Sequence, residues 1–399
     1  MKIKFSHIIC IIISVAILAI ASLQYPPLKN TLAAEKNGWN SYRGKVLDIL
    51  DTSVEYYDNV ENLKKTSILF SVKLYDGEYK DRTVKAVQTR DDFIALKSDA
   101  VKKGDAVIIL QLNGNTAPSL SANTPNQDIF DNPVFVFEEF YRFSSMIILL
   151  FIFVILLLIF GGIKGLNTLI SLVLTCISIF CWFIPSIFSG ANLYTTSISV
   201  CLFIIVMTIL IINGINKKSF ASIAGCFGGV LIAALLSVIM KNAMHINGYL
   251  NNDSLYLESL LPGGQKDLVA VLFSAIIIGA VGAVMDVSMS LSSALYELAT
   301  SVKDITFKQL VKSGFAIGRD MMGTMANTLI LAYIGSSLSF ILVLIAYNSS
   351  FLGLINNQII AFEIMQALAG SIGILCGIPL TTFIASALYS VKFIITVSK

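Results

Sequence analysis

Seven apolar runs of roughly 20 residues follow one another between Phe143 and Val391, and this feature restricts the fold most strongly. Each run has the length of a helix that crosses about 30 Å of hydrocarbon. Only 13% of the residues are charged, whereas soluble domains carry about 25%. The sequence therefore predicts an α-helical polytopic membrane protein. The predicted spans are residues 143–163, 166–188, 198–215, 220–240, 268–285, 324–347 and 371–391.

The chain begins with another apolar run, residues 8–23, which follows the positive residues Lys2 and Lys4. This run is short for a span, and Ala19-Ile20-Ala21 before Ser22 resembles a signal-peptidase site. Residues 1–23 are therefore either an uncleaved signal anchor or a cleaved signal peptide. Both alternatives export the segment that follows, and retention of the anchor gives about eight spans.

Residues 38–115 have the composition of a soluble β-rich domain. Runs rich in Val, Ile, Leu and Tyr are separated by the turn sequences Asp76-Gly77 and Lys102-Lys103-Gly104-Asp105. The pattern predicts a small β-barrel of the OB or SH3-like kind, with strands near residues 42–50, 67–75, 81–88 and 105–112. Residues 116–140, which begin rich in Pro, Asn and Ser, are predicted to link this domain to the helical bundle of residues 141–399.

Lysine and arginine are distributed unevenly among the loops of the bundle. With the N-terminus inside, the outer loops between spans hold only Lys241 and Lys266. This asymmetry predicts cytoplasmic termini and an extracytoplasmic β-domain. The inner segments hold Lys2, Lys4, Lys164, Lys217, Lys218, Lys303, Lys308, Lys312, Arg319, Lys392 and Lys399.

A polar stripe begins where the span 268–285 ends. Its carboxylate and hydroxyl oxygens are hard ligands that suit H⁺, Na⁺ or a divalent cation. The alternative is a helix on the cytoplasmic membrane surface with its polar face in water, because residues 268–302 are too long for one span. The members, which fall within about ±40° of one line on a helix, are Asp286, Ser290, Ser293, Glu297, Thr300 and Asp304.

A second polar face, which consists of Asp320, Thr324, Asn327 and Thr328, leads into the span 324–347. Arg319 is a candidate to neutralise Asp286 or Asp320. The alternative is a helix start with a snorkelling arginine and an N-terminal aspartate. Residues 286–320 are predicted to form a cytoplasmic polar segment.

Small residues mark predicted helix-packing faces. Gly225 and Gly229 share a face with Ser222, and Gly373 and Gly377 form a GxxxG pair. Pro379 leaves the carbonyl of Leu375 without its helical donor, which predicts a helix break or a kink relieved by a threonine hydroxyl. The apolar stretch from Ile359 is too long for one span, so either an interfacial helix around Glu363 precedes the last span or the helix breaks near Pro379.

The sequence gives no indication of an enzyme. It contains neither GxxxxGK[ST] nor GxGxxG, and it lacks HExxH and GxSxG. All six cysteines lie in apolar runs and only two histidines are present, so we expect no catalytic residues, cofactor, metal site or disulfide framework. The net charge of +3 is too small and dispersed to suggest a nucleic-acid partner.

Several motifs of the bundle resemble the YibE/F family of bacterial membrane proteins. The resemblance covers about residues 141–399, and it implies a multi-pass protein of the bacterial inner membrane that is suspected of transport. The motifs are Gly162…Lys164-Gly165, Gly282-Ala283-Val284-Met285-Asp286-Val287, Ser313-Gly314…Ile317-Gly318-Arg319-Asp320…Gly323-Thr324-Met325…Asn327-Thr328-Leu329-Ile330-Leu331-Ala332-Tyr333…Gly335, and Gly370-Ser371-Ile372-Gly373…Pro379-Leu380-Thr381.

The preferred functional hypothesis is a transporter or permease component for an ion or small solute. The stripe from Asp286 and the face from Asp320 to Thr328 would line its path. The alternative is a non-transporting membrane scaffold whose exported β-domain binds a partner or an envelope component. In both cases the lipid bilayer is the first partner, and a homo-oligomer or hetero-oligomer with a related membrane protein is a further expectation.

Overall fold

The computed structural model describes residues 5–24, 40–56, 64–92, 98–112, 134–250, 252–347 and 350–390. The chain divides into two compact units, Leu32–Leu156 and the combination of Met1–Thr31 with Leu157–Lys399. The first unit contains a β-barrel, and the second is helical. The fold is therefore mostly helical with an N-terminal barrel, as the sequence predicts.

The barrel has five strands in the closed order β1-β2-β3-β5-β4, in which β3 and β5 run parallel and the other neighbours are antiparallel. Phe70, Val72 and Ile109 are fully buried at its centre. The rings of Tyr42 and Phe135 pack edge-on there at 6.2 Å. The strands are β1 Asn40–Tyr56, β2 Lys64–Leu74, β3 Thr83–Asp91, β4 Ala106–Leu112 and β5 Val134–Phe140.

The first four strands confirm the sequence prediction, and both turns between them use glycine at positive φ, at Gly77 and Gly104. The fifth strand corrects it. Val134–Phe140 lies inside the segment assigned to the linker, yet it hydrogen-bonds to β3 and β4 and closes the barrel. Its partners are distant in sequence, so local composition did not indicate the pairing.

The described part of the chain contains nine helices, one before the barrel and eight after it. Six of these segments are long and apolar enough to cross a membrane, and the first helix contains a shorter apolar stretch, His7–Leu23. The helices are α1 Phe5–Gln24, α2 Phe143–Ser178 (extended by a π-helical turn and a last turn to Phe188), α3 Leu193–Asn213, α4 Lys217–Ala243, α5 Asn252–Leu260, α6 Gln265–Ser301, α7 Phe307–Tyr347, α8 Phe351–Ile355 and α9 Gln358–Tyr389.

Helix α2 covers two predicted spans and reverses between them. Gly162 has φ 54° and ψ −129°, which a residue with a Cβ rarely adopts. Gly165 then lies directly against the carbonyl of Leu157. In a straight helix these residues would be about 12 Å apart, so the chain turns back sharply at Gly162.

Helix α9 is the central helix of the helical unit and packs against α4, α6 and α7. A Cβ on Gly225 of α4 would collide with Thr381 of α9. A Cβ on Gly229 would lie 2.7 Å from the carbonyl oxygen of Gly373. These glycines allow the backbones of α4 and α9 to approach closely where the helices cross.

Helix α9 also differs from both alternatives for the last span. It runs without interruption from Gln358 to Tyr389 and contains Pro379. There is neither a separate interfacial helix around Glu363 nor a break at Pro379, because close packing against α4, α6 and α7 holds the segment helical on both sides of the proline. At about 48 Å it is longer than the hydrocarbon thickness.

Candidate functional site

The polar stripe lies on the outside of α6. Asp286, Ser290 and Glu297 are exposed and Ser293 is half-buried. The opposite side is fully buried at Leu291 and Leu295, as the helical periodicity predicts. Within one chain the stripe therefore borders an open surface rather than an enclosed path.

The stripe is one residue shorter than predicted. Helix α6 ends at Ser301, and Asp304 follows in the loop with φ 58°. Thr300 remains on the helix, where its hydroxyl donates to the carbonyl of Tyr296 at 3.1 Å. Asp304 thus does not extend the polar stripe.

The second polar face lies on the outside of α7. Asp320, Thr324, Asn327, Thr328 and the neighbouring Arg319 are all exposed. Both threonine hydroxyls form hydrogen bonds within α7. The Thr328 hydroxyl donates to the carbonyl of Thr324 at 2.8 Å, and the Thr324 hydroxyl donates to the carbonyl of Met321 at 3.0 Å. In the described part of the chain, Arg319 forms no ion pair with either aspartate.

The two faces occupy the same level of the bundle. Helices α6 and α7 are antiparallel, because Gly279 meets the Tyr333 hydroxyl and Gly314 meets Leu295. At about 1.5 Å per residue, Asp286 lies about 10 Å along α6 from the first contact, and Thr324 lies about 13 Å along α7. Ser290 and Asp320 form the next matched level. Thr324 lies nine residues from Tyr333, about 180° around α7, so these groups share a level rather than a common direction. We call Asp286, Ser290, Asp320 and Thr324 the open polar face.

Two glycines leave room beside this face. Gly282 precedes Asp286 by one helical turn, and Gly323 adjoins Thr324. A Cβ on either glycine would meet no atom within 4 Å. At these two positions the open polar face therefore has no packed neighbour among the described residues.

The far end of the stripe is occupied by a structural contact. Lys218 of α4 places its Nζ 3.4 Å from Glu297 Oε1 and 4.5 Å from the centre of the Tyr296 ring. Glu297 is the more exposed partner, so the ion pair contributes little to stability. The pairing gives Glu297 a neighbour that the aspartates lack.

A cluster of buried hydroxyl groups, which was not among the predicted sites, lies on the opposite side of α6. Thr381 donates to the Ser288 hydroxyl at 3.2 Å, and Ser222 donates to the Ser288 carbonyl at 3.3 Å. Ser292 bonds to the Tyr389 hydroxyl at 2.7 Å. The four-residue spacing of Ser288 and Ser292, out of phase with the stripe, was the available indication.

Other hydroxyls at the end of α9 have no partner among the described residues. Thr382, Ser386 and Ser390 are each completely buried, and their side-chain oxygens form no hydrogen bond. They follow one another at four-residue intervals and so share one line on the helix. Neither threonine beside Pro379 provides the expected hydroxyl that relieves a kink. Thr381 donates to the Ser288 hydroxyl, and the Thr382 hydroxyl has no hydrogen-bond partner among the described residues.

Metal-ligand groups are not assembled in the described ranges. No three side chains of His, Cys, Asp or Glu lie close enough together to hold an ion. The open polar face offers carboxylate and hydroxyl oxygens on a surface, an arrangement that can attract a cation but does not enclose it.

Comparison with known proteins gives one match. The profile of the family described as YibE/F-like protein matches residues 149–391, which is more than half of the chain. No curated protein and no solved structure matches. The matched region contains α3 to α9 and both helices of the open polar face.

Proposed function

The chain belongs to the YibE/F-like family, and we propose that it is a transporter or permease component that moves an ion or a small solute across a membrane. The proposal rests on one observation. Two neighbouring long helices carry exposed carboxylates and hydroxyls at one level, and none of the described residues covers them.

The depth of the open polar face in the membrane makes its carboxylates energetically unfavourable against lipid, so we expect them to serve a function. Residues 268–285 of α6 contain no charged side chain and suffice to cross most of the hydrocarbon, so Asp286 lies at its edge. A carboxylate at that depth is unfavourable against lipid. The face needs water, a cation or another subunit beside it.

A second subunit, either another copy or a related membrane protein, would complete the path. It would cover the open side of α6 and α7 and leave Asp286 and Asp320 facing a shared polar space. Gly282 and Gly323 leave the room that such a path needs. The same carboxylates would replace part of the hydration of a passing cation.

We propose the following topology for this transporter. The protein lies in a bacterial inner membrane with about eight spans, cytoplasmic termini and an extracytoplasmic barrel. The Lys and Arg asymmetry supports the orientation. The reversal at Gly162 supports two passes within Phe143–Phe188. Helix α1 packs on α3 through Cys10 and Leu18, which supports a retained signal anchor.

The deciding experiment compares charge-neutralising variants in proteoliposomes. Inward gradients of Na⁺, K⁺, Mg²⁺ or H⁺ are imposed, and cation-sensitive dyes inside report the flux. We expect Asp286→Asn and Asp320→Asn to insert normally but to lose about tenfold or more of the flux, since each removes a charge that offsets cation dehydration. Asp304→Asn, outside the face, is the matched control and should transport as the wild type does.

The alternative function, a membrane scaffold, has its own supporting observation. The distal part of β1 carries exposed apolar side chains, of which Leu50 is 48% and Tyr56 73% exposed. Such residues suit a protein partner of the barrel. Wild-type flux in both aspartate variants, or flux equal to that of protein-free liposomes, would contradict the transporter proposal and favour the scaffold.

A further inference from the structure

A groove opens between the second half of α7 and the first half of α9, and it begins at Ile330, about 9 Å along α7 from Thr324 of the open polar face. It consists of two adjoining cavities of about 160 and 260 Å³. Only the two together reach the usual size of small-molecule sites, about 300–1,000 Å³. The cavities share Ser337, Ile341, Ile360 and Glu363. The remaining walls are largely aliphatic, and the aromatic side chains of Tyr333 and Phe340 also border the groove.

Among the described residues, Glu363 is the one charged side chain that lines either cavity. It is half-buried, and it lies about 8 Å along α9 from the start of a helix that can cross a membrane. No lysine, arginine or histidine of the described residues forms an ion pair with it. A carboxylate in such a place usually marks a functional site whose partner must be identified.

The polar neighbours of Glu363 are engaged elsewhere. The Tyr333 hydroxyl lies beside the amide group of Gln366. Both groups lie against Gly279 of α6, where a Cβ would sit 3.6 Å from Gln366 Nε2. Their polar ends therefore contact α6, and the negative charge of Glu363 remains without a counter-ion within the described residues.

We propose that this groove binds an amphipathic organic monocation. Its apolar body would contact Ile341, Ile360 and the other aliphatic walls, and its ammonium or phosphonium head would lie beside Glu363. The aromatic faces of Tyr333 and Phe340 add favourable cation–π contacts. The inference depends on the groove alone and would hold for a transported substrate or for a regulatory ligand.

The chemistry of the lining excludes simpler occupants. A bare Mg²⁺ or Ca²⁺ needs six or more oxygen ligands, and one carboxylate with two serine hydroxyls does not supply them. A neutral lipid chain would fill the apolar walls but leave the carboxylate unpaired, at the cost of a desolvated charge. An anionic headgroup would be repelled.

The test uses full-length protein in lipid nanodiscs and equilibrium binding of radiolabelled tetraphenylphosphonium. We expect saturable binding to the wild type and binding weaker by at least about tenfold in Glu363→Gln, since the variant keeps the shape and removes the charge. Triphenylphosphine oxide, a neutral probe with similar aromatic groups, should bind weakly and equally to both proteins. Asp304→Asn, which neutralises an exposed carboxylate outside both proposed sites, is the matched control.

A second variant keeps the proposal testable if Glu363→Gln does not fold. Ser337→Leu fills the groove from α7 and should weaken tetraphenylphosphonium binding while Glu363 remains in place. Equal affinity of wild type and Glu363→Gln for tetraphenylphosphonium would overturn the proposal and leave the groove to lipid chains. The same conclusion would follow if the wild type bound triphenylphosphine oxide as tightly as tetraphenylphosphonium. Wild type that binds no phosphonium would also overturn it and favour a second copy of the chain as the occupant.

Discussion

Helix α6 carries serines on two sides, and the sides differ in what surrounds them. Ser288 and Ser292 are buried and bond to α4 and α9. Ser290 and Asp286 are exposed, and in the described part of the chain their side chains form no hydrogen bond to another helix. A polar group with a partner inside the chain holds helices together, whereas one without a partner indicates an external requirement. The same residue types therefore serve packing on one side and, in our proposal, transport on the other.

The largest effect on stability should come from two glycines, of which one packs against a neighbouring helix and the other has open space beside it. Gly229→Ala places a methyl group 2.7 Å from the Gly373 carbonyl oxygen and 2.8 Å from a Val284 methyl. We expect destabilisation by about 2–3 kcal/mol, the usual cost of overpacking. Gly282→Ala, with no atom within 4 Å, should be neutral or stabilise by up to about 1 kcal/mol through helix propensity. The measurement is the apparent Tm in detergent, and equal values for the two variants would contradict the packing assignment.

Two serine-to-alanine substitutions on α6, one on the buried side and one on the exposed side, sharpen the comparison between these sides. Ser288→Ala removes the acceptor of the Thr381 hydroxyl and should cost about 0.6–1.7 kcal/mol, the range measured for hydrogen bonds between membrane helices. Ser290→Ala, on the exposed side, should leave stability unchanged. Thermal unfolding in the same detergent decides it. If Ser290→Ala is the more destabilising, the open polar face contributes to packing.

The smallest effect should come from the unpartnered hydroxyls of α9. Ser386 is completely buried without a hydrogen bond among the described residues. Its replacement by alanine removes a buried polar group without orphaning another, so we expect stability to stay equal or to rise by less than about 1 kcal/mol. Thermal unfolding of Ser386→Ala beside Ser292→Ala gives the contrast. A loss as large as that of Ser292→Ala would mean that Ser386 has an acceptor.

The parts of the fold that depend on local composition could be predicted from the sequence. Apolar length indicated the helices, and the alternation of residues with Gly77 and Gly104 indicated four strands. Strand β5 could not be recognised, because Phe135 pairs with Ala86 of a strand that is distant along the chain. Pairing of that kind is decided by tertiary structure.

In the candidate site, too, the features that depend on local sequence could be predicted and those that depend on tertiary packing could not. Helical periodicity placed Asp286, Ser290 and Glu297 on one side and Leu291 on the other, as observed. The roles of Ser288 and Ser292 depend on which residues of α4 and α9 pack against them, so spacing alone could not identify them. The Glu363 groove was missed because it needs α7 and α9 side by side.

Helix α7 contributes residues to both proposed sites. It carries Asp320 and Thr324 just before its middle and lines the Glu363 groove with Tyr333 and Ser337 just after it. The described backbone is helical throughout its 41 residues, which span about 60 Å. A tilt of about 10° around the middle would move Asp320, which lies about 10 Å from the middle, by about 2 Å. A ligand that tilts α7 by widening the groove would thus also shift the carboxylate of the polar face.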